Sequence, residues 1–255
     1  MEQKAKVYSR IENGIGYVTF FHPQSNSLPG EVLNWLADEI TKVGNDSDAR
    51  VIVLQSEGDK AFCAGASFDE LVAIDDLETG KKFFSGFANV INAMRKAPKF
   101  VIARVQGKAV GGGVGLACAA DYTLATDAAA VKLSELAVGI GPFVVGPAVE
   151  RKIGTSAFTQ LAIDAATWQN AYWAKEKGLY ADVFKSINEL DKAVEELAAR
   201  LAASSPEAMR LLKQVSWEGT ENWDTLLMER AGVSGTLVLS DFTRNAIAKF
   251  KAGAR

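Results

Sequence analysis

The sequence predicts an α/β fold, on three observations. A short apolar run leads through a small-residue turn into a helix start within residues 51–71, and the same order recurs within 100–120. Hairpin and strand patterns occupy the first part of the chain. Beyond Gly154, helical patterns dominate to the end. With 255 residues and 48% hydrophobic content, the chain can bury one large core, with length left for an appended subdomain.

Taken in order, residues 8–12 and 16–21 are apolar runs on either side of Asn13-Gly14, a pair that tolerates the positive φ angles of a tight hairpin. Residues 22–28 read as a loop. A helix is predicted over 29–43, because Val32, Leu33, Leu36 and Ile40 recur at helical spacing. Residues 51–55 form the next strand. After Asp69 the pattern is helical and polar through Lys81, and 83–94 is an amphipathic helix. Residues 100–105 are a buried strand, after which Gly111-Gly112-Gly113 and Gly115 open a short helix over 116–120. Strands are expected at 122–126 and 130–133. Gly139, Gly141, Pro142 and Gly146 predict a loop that enters a helix near Val149. Helices over 157–163, 171–177, 187–203, 206–217 and from 221 onward complete the chain.

The glycine cluster has three physical readings. A glycine turn at a helix N-terminus leaves backbone N–H groups free, so it can cradle a phosphate or an oxyanion, or it can let a helix pack closely on a sheet. A Walker loop needs Lys and then Ser or Thr after its last glycine, and neither follows here. The dinucleotide fingerprint is broken as well, since Leu116 occupies its third glycine position. An oxyanion cradle and close packing remain.

Composition narrows the partners. Lys and Arg total 28 against 31 Asp and Glu, for a net charge of −3, which gives no electrostatic reason to expect nucleic acid or an anionic membrane. The polar start Met-Glu-Gln-Lys-Ala-Lys lacks a signal-peptide core, and Arg104, Lys108 and the glycines interrupt the longest apolar run. Cys63 and Cys118 have neither disulfide nor zinc spacing, so no metal is expected and a reducing, cytoplasmic setting is. On that expectation the sequon at Asn45 is chance.

Phe62-Cys63-Ala64-Gly65-Ala66 followed by Gly107 and Gly111-Gly112-Gly113 resembles the enoyl-CoA hydratase/isomerase (crotonase) superfamily, over a span from about Gly16 to the C-terminus. The resemblance implies a spiral of β-β-α units at 1–195 with a helical C-terminal subdomain at 196–255 for oligomerisation, as a homotrimer or homohexamer. It implies an acyl-CoA substrate, with coenzyme A part of the substrate and no separate cofactor. By motif position, the amides of Ala66 and Gly112 would form an oxyanion hole for the thioester carbonyl. Cys63, Ala64, Gly65, Gly111, Gly115, Pro142 and Phe143 would contribute to substrate binding. The adenine would lie near the 63–66 turn, and Phe250 and Lys251 would help hold the nucleotide.

Proton removal beside a thioester needs a positioned base. The one histidine, His22, reads as surface structure in a loop before Pro23, and neither cysteine has a basic neighbour in sequence. Glu135, taken alone, reads as a solvated loop acid. The resemblance makes it the catalytic base. Hydratases of this superfamily generally use two glutamates, and at the first of those positions this chain has Gly115. A single glutamate at the Glu135 position resembles the enoyl-CoA isomerase branch, as do Asn26-Ser27-Leu28 and Gly139-Ile140-Gly141-Pro142-Phe143. Phe143 stands where related dehalogenases have a nucleophilic aspartate, which disfavours that chemistry. The alternatives are a hydratase with a second acid from Asp69, Glu70 or Asp75, an acyl-CoA decarboxylase, and a silent acyl-CoA-binding scaffold.

Overall fold

A computed structural model describes the backbone of residues 4–253 and the side chains of 4–249. The chain opens with β1 (Lys6–Glu12) and β2 (Ile15–Phe21), an antiparallel hairpin turned by Asn13 at φ 53° and Gly14 at φ 79°. Helix α1 (Gly30–Asn45) follows, burying Val32, Leu33, Leu36 and Ile40. Three units of similar design come next. The first is β3 (Val51–Ser56), β4 (Ala61–Cys63), α2 (Phe68–Ala73) and α3 (Leu77–Lys96); the second is β5 (Val101–Val105), β6 (Lys108–Val110) and α4 (Gly112–Ala119). In the third, β7 (Tyr122–Thr126) and β8 (Val131–Lys132) lead through a 3-10 turn at Leu136–Val138 into α5 (Gly146–Ile163). The chain then runs through α6 (Ala171–Glu176), β9 (Asp182–Phe184), α7 (Ile187–Ala202), α8 (Pro206–Ser216), α9 (Trp223–Leu237) and α10 (Asp241–Gly253). No helix among the described residues is long and apolar enough to cross a membrane.

Each unit gives its first strand to one sheet and its second to another. The larger sheet has the order β1-β2-β3-β5-β7-β9, parallel except at the hairpin, and the smaller is β4-β6-β8, also parallel. Repeating that step winds the chain into the spiral that the resemblance implies. The step from β5 to β6 needs Gly107, because a Cβ there would collide with the backbone carbonyl of Lys60. Strand β3 is apolar without alternation because both faces are covered. Ile52 and Leu54 enter the main core, whereas Val51 and Val53 enter a second core with Ile15, Ile102 and Leu124 under Leu190, Val194 and Ala198 of α7.

That second core moves a boundary. Helix α7 crosses 195/196 and packs on the sheet with residues from both sides of that line, so the expected division falls inside a core helix. The all-helical end of the chain begins at α8. The helix expected to run from 69 to 81 is also broken. It ends at Ala73, and Asp76 starts α3 by accepting a hydrogen bond from the Thr79 amide at 2.9 Å. Strands β4, β6 and β9 were not predicted because three residues are too few to display a period. Within α5, Gly154 at φ 77° divides two helical stretches, matching the two helices expected there.

Candidate active site

The two glycine turns meet. After β6, Gly111 adopts φ 51° and ψ −115°, and its carbonyl accepts from the amides of Val114 and Gly115 at the start of α4. The amide of Gly112 donates to no carbonyl among the described residues. After β4, Gly65 turns at φ 90°; its carbonyl accepts from Leu28 N at 2.8 Å, and Ser67 N donates to Leu28 O at 3.3 Å. Between those bonds, the Ala66 amide also lacks a carbonyl partner. A Cβ placed on Gly65 would stand 2.9 Å from Val110 O and 3.7 Å from Gly112 N, so the turns press directly on each other. Close packing is present as well: a Cβ on Gly113 would meet Cys63 O at 2.6 Å. Gly113 thus follows the packing reading, while Gly111 and Gly65 bend the chain so that amides are left free.

Glu135 lies over this junction. Its carboxyl atoms are 3.1 to 3.5 Å from the point where a Gly111 side chain would begin. Its Oε2 is buried without a hydrogen-bond partner, and burial raises its pKa to about 7. The backbone around it is fixed, because Glu135 O accepts from Val138 N at 3.2 Å and from Ile140 N at 3.0 Å. The carboxyl group opens on a cavity of about 70 Å³ that Ala64, Gly65, Ala66, Gly111 and Gly112 line from the turns. Pro142 and Phe143 line it from the loop before α5.

Two expected binding residues are elsewhere. Cys63 is buried behind its turn, where its Sγ accepts from Gly65 N at 3.4 Å and desolvation pushes the thiol up to about 12. It supports the turn and does not line the cavity. Gly115 is likewise buried away from it, and a Cβ there would meet Val145 Cγ1 at 2.5 Å and Cβ at 2.6 Å. Val145 therefore fills the space a side chain at 115 would need. The backbone of Phe250 and Lys251 belongs to α10, but their side chains lie outside the described residues.

The alternative acids are held away from Glu135. Glu70 Oε2 accepts from Gly30 N at 2.7 Å at the start of α1, Asp69 Oδ2 accepts from Gln24 Nε2 at 2.9 Å, and neither these nor Asp75 lines the cavity. His22 remains in its loop, with Nδ1 3.1 Å from Ser27 Oγ and burial lowering its pKa. Sequence reasoning missed Phe84, Phe87, Val145 and Ser234, all of which line the cavity. Phe87 rests on Gly112 so closely that a Cβ there would overlap its ring. The apolar stripe of α3 signalled these aromatics as core, without indicating what they enclose.

Comparison with known proteins follows the same geometry. Residues 10–233 match the enoyl-CoA hydratase/isomerase family. The short-chain-enoyl-CoA hydratase of Clostridium acetobutylicum is 28% identical over 242 residues, covering 94% of this chain and 92% of that protein. The mitochondrial methylglutaconyl-CoA hydratase of Mus musculus is 32% identical over 200 residues, 77% of this chain and 63% of its own length. The structure of an enoyl-CoA hydratase from Bacillus halodurans superposes with a TM-score of 0.87 at 20% identity, over 95% of this chain and 99% of that one, which establishes the shared fold. A match of that extent, running through both turns and Glu135, makes this chain a member of the enoyl-CoA hydratase/isomerase family.

Proposed function

We propose that the protein acts on acyl-CoA thioesters and shifts the double bond of a 3-enoyl-CoA to the 2-position. The observation that carries this reading is Glu135, whose carboxyl Oε2 is buried and unpartnered above the junction of two turns with free amides. In the first step its carboxylate takes a proton from C2, and the electron pair flows into the thioester carbonyl to give a dienolate. The amides of Ala66 and Gly112 hold the enolate oxygen, and one such preorganised donor is worth roughly 3–4 kcal/mol. In the second step the protonated Glu135 returns the proton to C4 as the 2,3 double bond forms. Proton and electron pair are conserved, and no water is consumed.

A pKa of about 7 suits both steps, since the group must accept and release a proton at neutral pH. Hydration would call for a second acid, and Val145 occupies the room where Gly115 would have to carry one. Apolar walls from Phe84, Phe87 and Phe143 keep solvent from the reacting carbons. A silent scaffold would have no use for a carboxyl group kept out of water at a cost in stability. Phe250 and Lys251 are proposed to hold the nucleotide. Assembly as a trimer or hexamer is supported by exposed Leu211, Leu212 and Val215 on α8, and sedimentation should return three or six times the mass of one chain.

The test follows conjugated thioester absorbance. Adding a 3-enoyl-CoA should increase it, and a 2-enoyl-CoA should show no hydration. Loss of absorbance from the 2-enoyl substrate, with a 3-hydroxyacyl product, would replace isomerase by hydratase; no change with either would remove both.

A further inference from the structure

Among the described residues, three side chains lining the cavity carry a polar atom: Ser134, Glu135 and Ser234. Ser134 and Glu135 are neighbours on one loop, and the proposed reaction uses Glu135. Ser234 arrives separately, from α9. It is 1% exposed, and its hydroxyl makes no hydrogen bond among the described residues. Helical hydroxyls elsewhere in the chain behave differently. Ser85, Ser216 and Thr236 each donate to the carbonyl four residues back, at 2.7, 2.8 and 3.0 Å. Unlike Glu135 Oε2, the Ser234 Oγ is not sealed from solvent, so it borders the cavity unbonded and is open to a ligand atom there.

Helix α3 gives the spacing. Phe87 rests on Gly112, Phe84 lines the cavity three residues earlier, and Gly80, a further turn back, touches Gly235 so closely that a Cβ there would be 3.0 Å from the Gly235 Cα. At 1.5 Å per residue, about 10 Å of α3 separates its contact with Gly235, the neighbour of Ser234, from its contact with Gly112.

We infer that Ser234 is a specificity-determining residue that hydrogen-bonds an oxygen at the far end of the acyl group. The favoured substrates are acyl-CoA thioesters bearing a terminal or near-terminal hydroxyl or carbonyl oxygen. This rests on the reading of the cavity as an acyl-CoA site. It does not depend on which reaction follows.

Binding, which needs no turnover, is therefore the measurement. Wild type and Ser234→Ala are titrated calorimetrically with 5-hydroxypentanoyl-CoA and with hexanoyl-CoA, a pair that differs by a hydroxyl in place of a methyl group. Alanine favours a helix, and a thermal melt confirms that the variant is folded. The wild type should bind the hydroxyacyl ligand about five- to tenfold tighter than its methyl counterpart, and Ser234→Ala should erase or reverse that ratio. Equal ratios in the two proteins, or a wild-type preference for hexanoyl-CoA, would overturn the role of Ser234 while leaving the acyl-CoA reading intact. Failure of both ligands to bind wild type would overturn both.

Discussion

Glu135 joins the chemistry to the pH behaviour of the whole protein. Its pKa of about 7, set by burial, means that the native state holds a proton the unfolded chain has lost between about pH 4.5 and about pH 7. Its contribution to stability is therefore complete below about 4.5 and disappears as pH rises through about 7, a change of about 3 kcal/mol. Glu135→Gln should match wild type in acid and exceed it in stability above about pH 8, as read by urea titration at both pH values. The same substitution should lower turnover by about 100- to 10,000-fold, and wild-type kcat/KM should rise with pH to a plateau above about 7. Equal stabilities at both pH values would show the carboxyl group to be solvated. At this scale the resemblance picked out Ala66, Gly112 and Glu135 by motif position, and all three line one cavity, although Glu135 taken alone reads as a solvated loop acid. Ser234 and Val145 were not picked out, because neither has a local pattern and only folding brings them to the cavity.

Elements decide what those residues can do. Gly111 caps α4, whose first turn holds Gly112, Gly113 and Gly115, and Val145, just before α5, presses on Gly115 so that a side chain at 115 has no room. Gly115→Glu should lower stability by about 1–3 kcal/mol. Val145→Ala should not relieve it, because the Val145 Cβ is itself 2.6 Å from the added atom, whereas Val145→Gly should. The double variant Gly115→Glu with Val145→Gly is the one in which hydration of a 2-enoyl-CoA should appear. Restored stability without hydration would show that filled space is not what separates the two reactions.

Another contact between elements ties the helical end to the sheet. Lys213 of α8 is buried, its Nζ donating to Met94 O at 2.7 Å and Lys99 O at 2.8 Å and lying 3.0 Å from Asp121 Oδ2. Asp121 also accepts from Val101 N and Trp217 Nε1, each at 2.7 Å. Lys213→Met would leave that carboxylate short of charge and two carbonyls without a donor. It should cost about 3–5 kcal/mol in denaturant titrations; a loss under about 1 kcal/mol would class the pair with surface ion pairs. Nothing in the local sequence separates this lysine from the solvated charges of its helix. Burial by the sheet, which no local pattern records, is what changes its role.

For the molecule as a whole, the sequence made the order of elements readable and left their connections to be found. Hairpin, long helices and the strands of the larger sheet other than β9 follow from apolar period and turn chemistry. Strands β4, β6 and β8 did not declare themselves as a sheet, since their pairing is entirely between residues distant in the chain. Yet that small sheet brings the two glycine turns and the loop of Glu135 together. Gly111 N donates to Lys132 O at 2.8 Å, fastening the turn after β6 to the strand that leads to Glu135. The candidate active site is thus a product of the spiral, with each successive turn of chain adding one part.

The most direct test is a crystal structure with a bound 3-enoyl-CoA analogue that cannot isomerise. The account predicts the thioester oxygen within about 2.7–3.2 Å of both Ala66 N and Gly112 N, with the Glu135 carboxyl group in van der Waals reach of C2 and C4. A thioester oxygen bound elsewhere, or Glu135 turned away from those carbons, would contradict it.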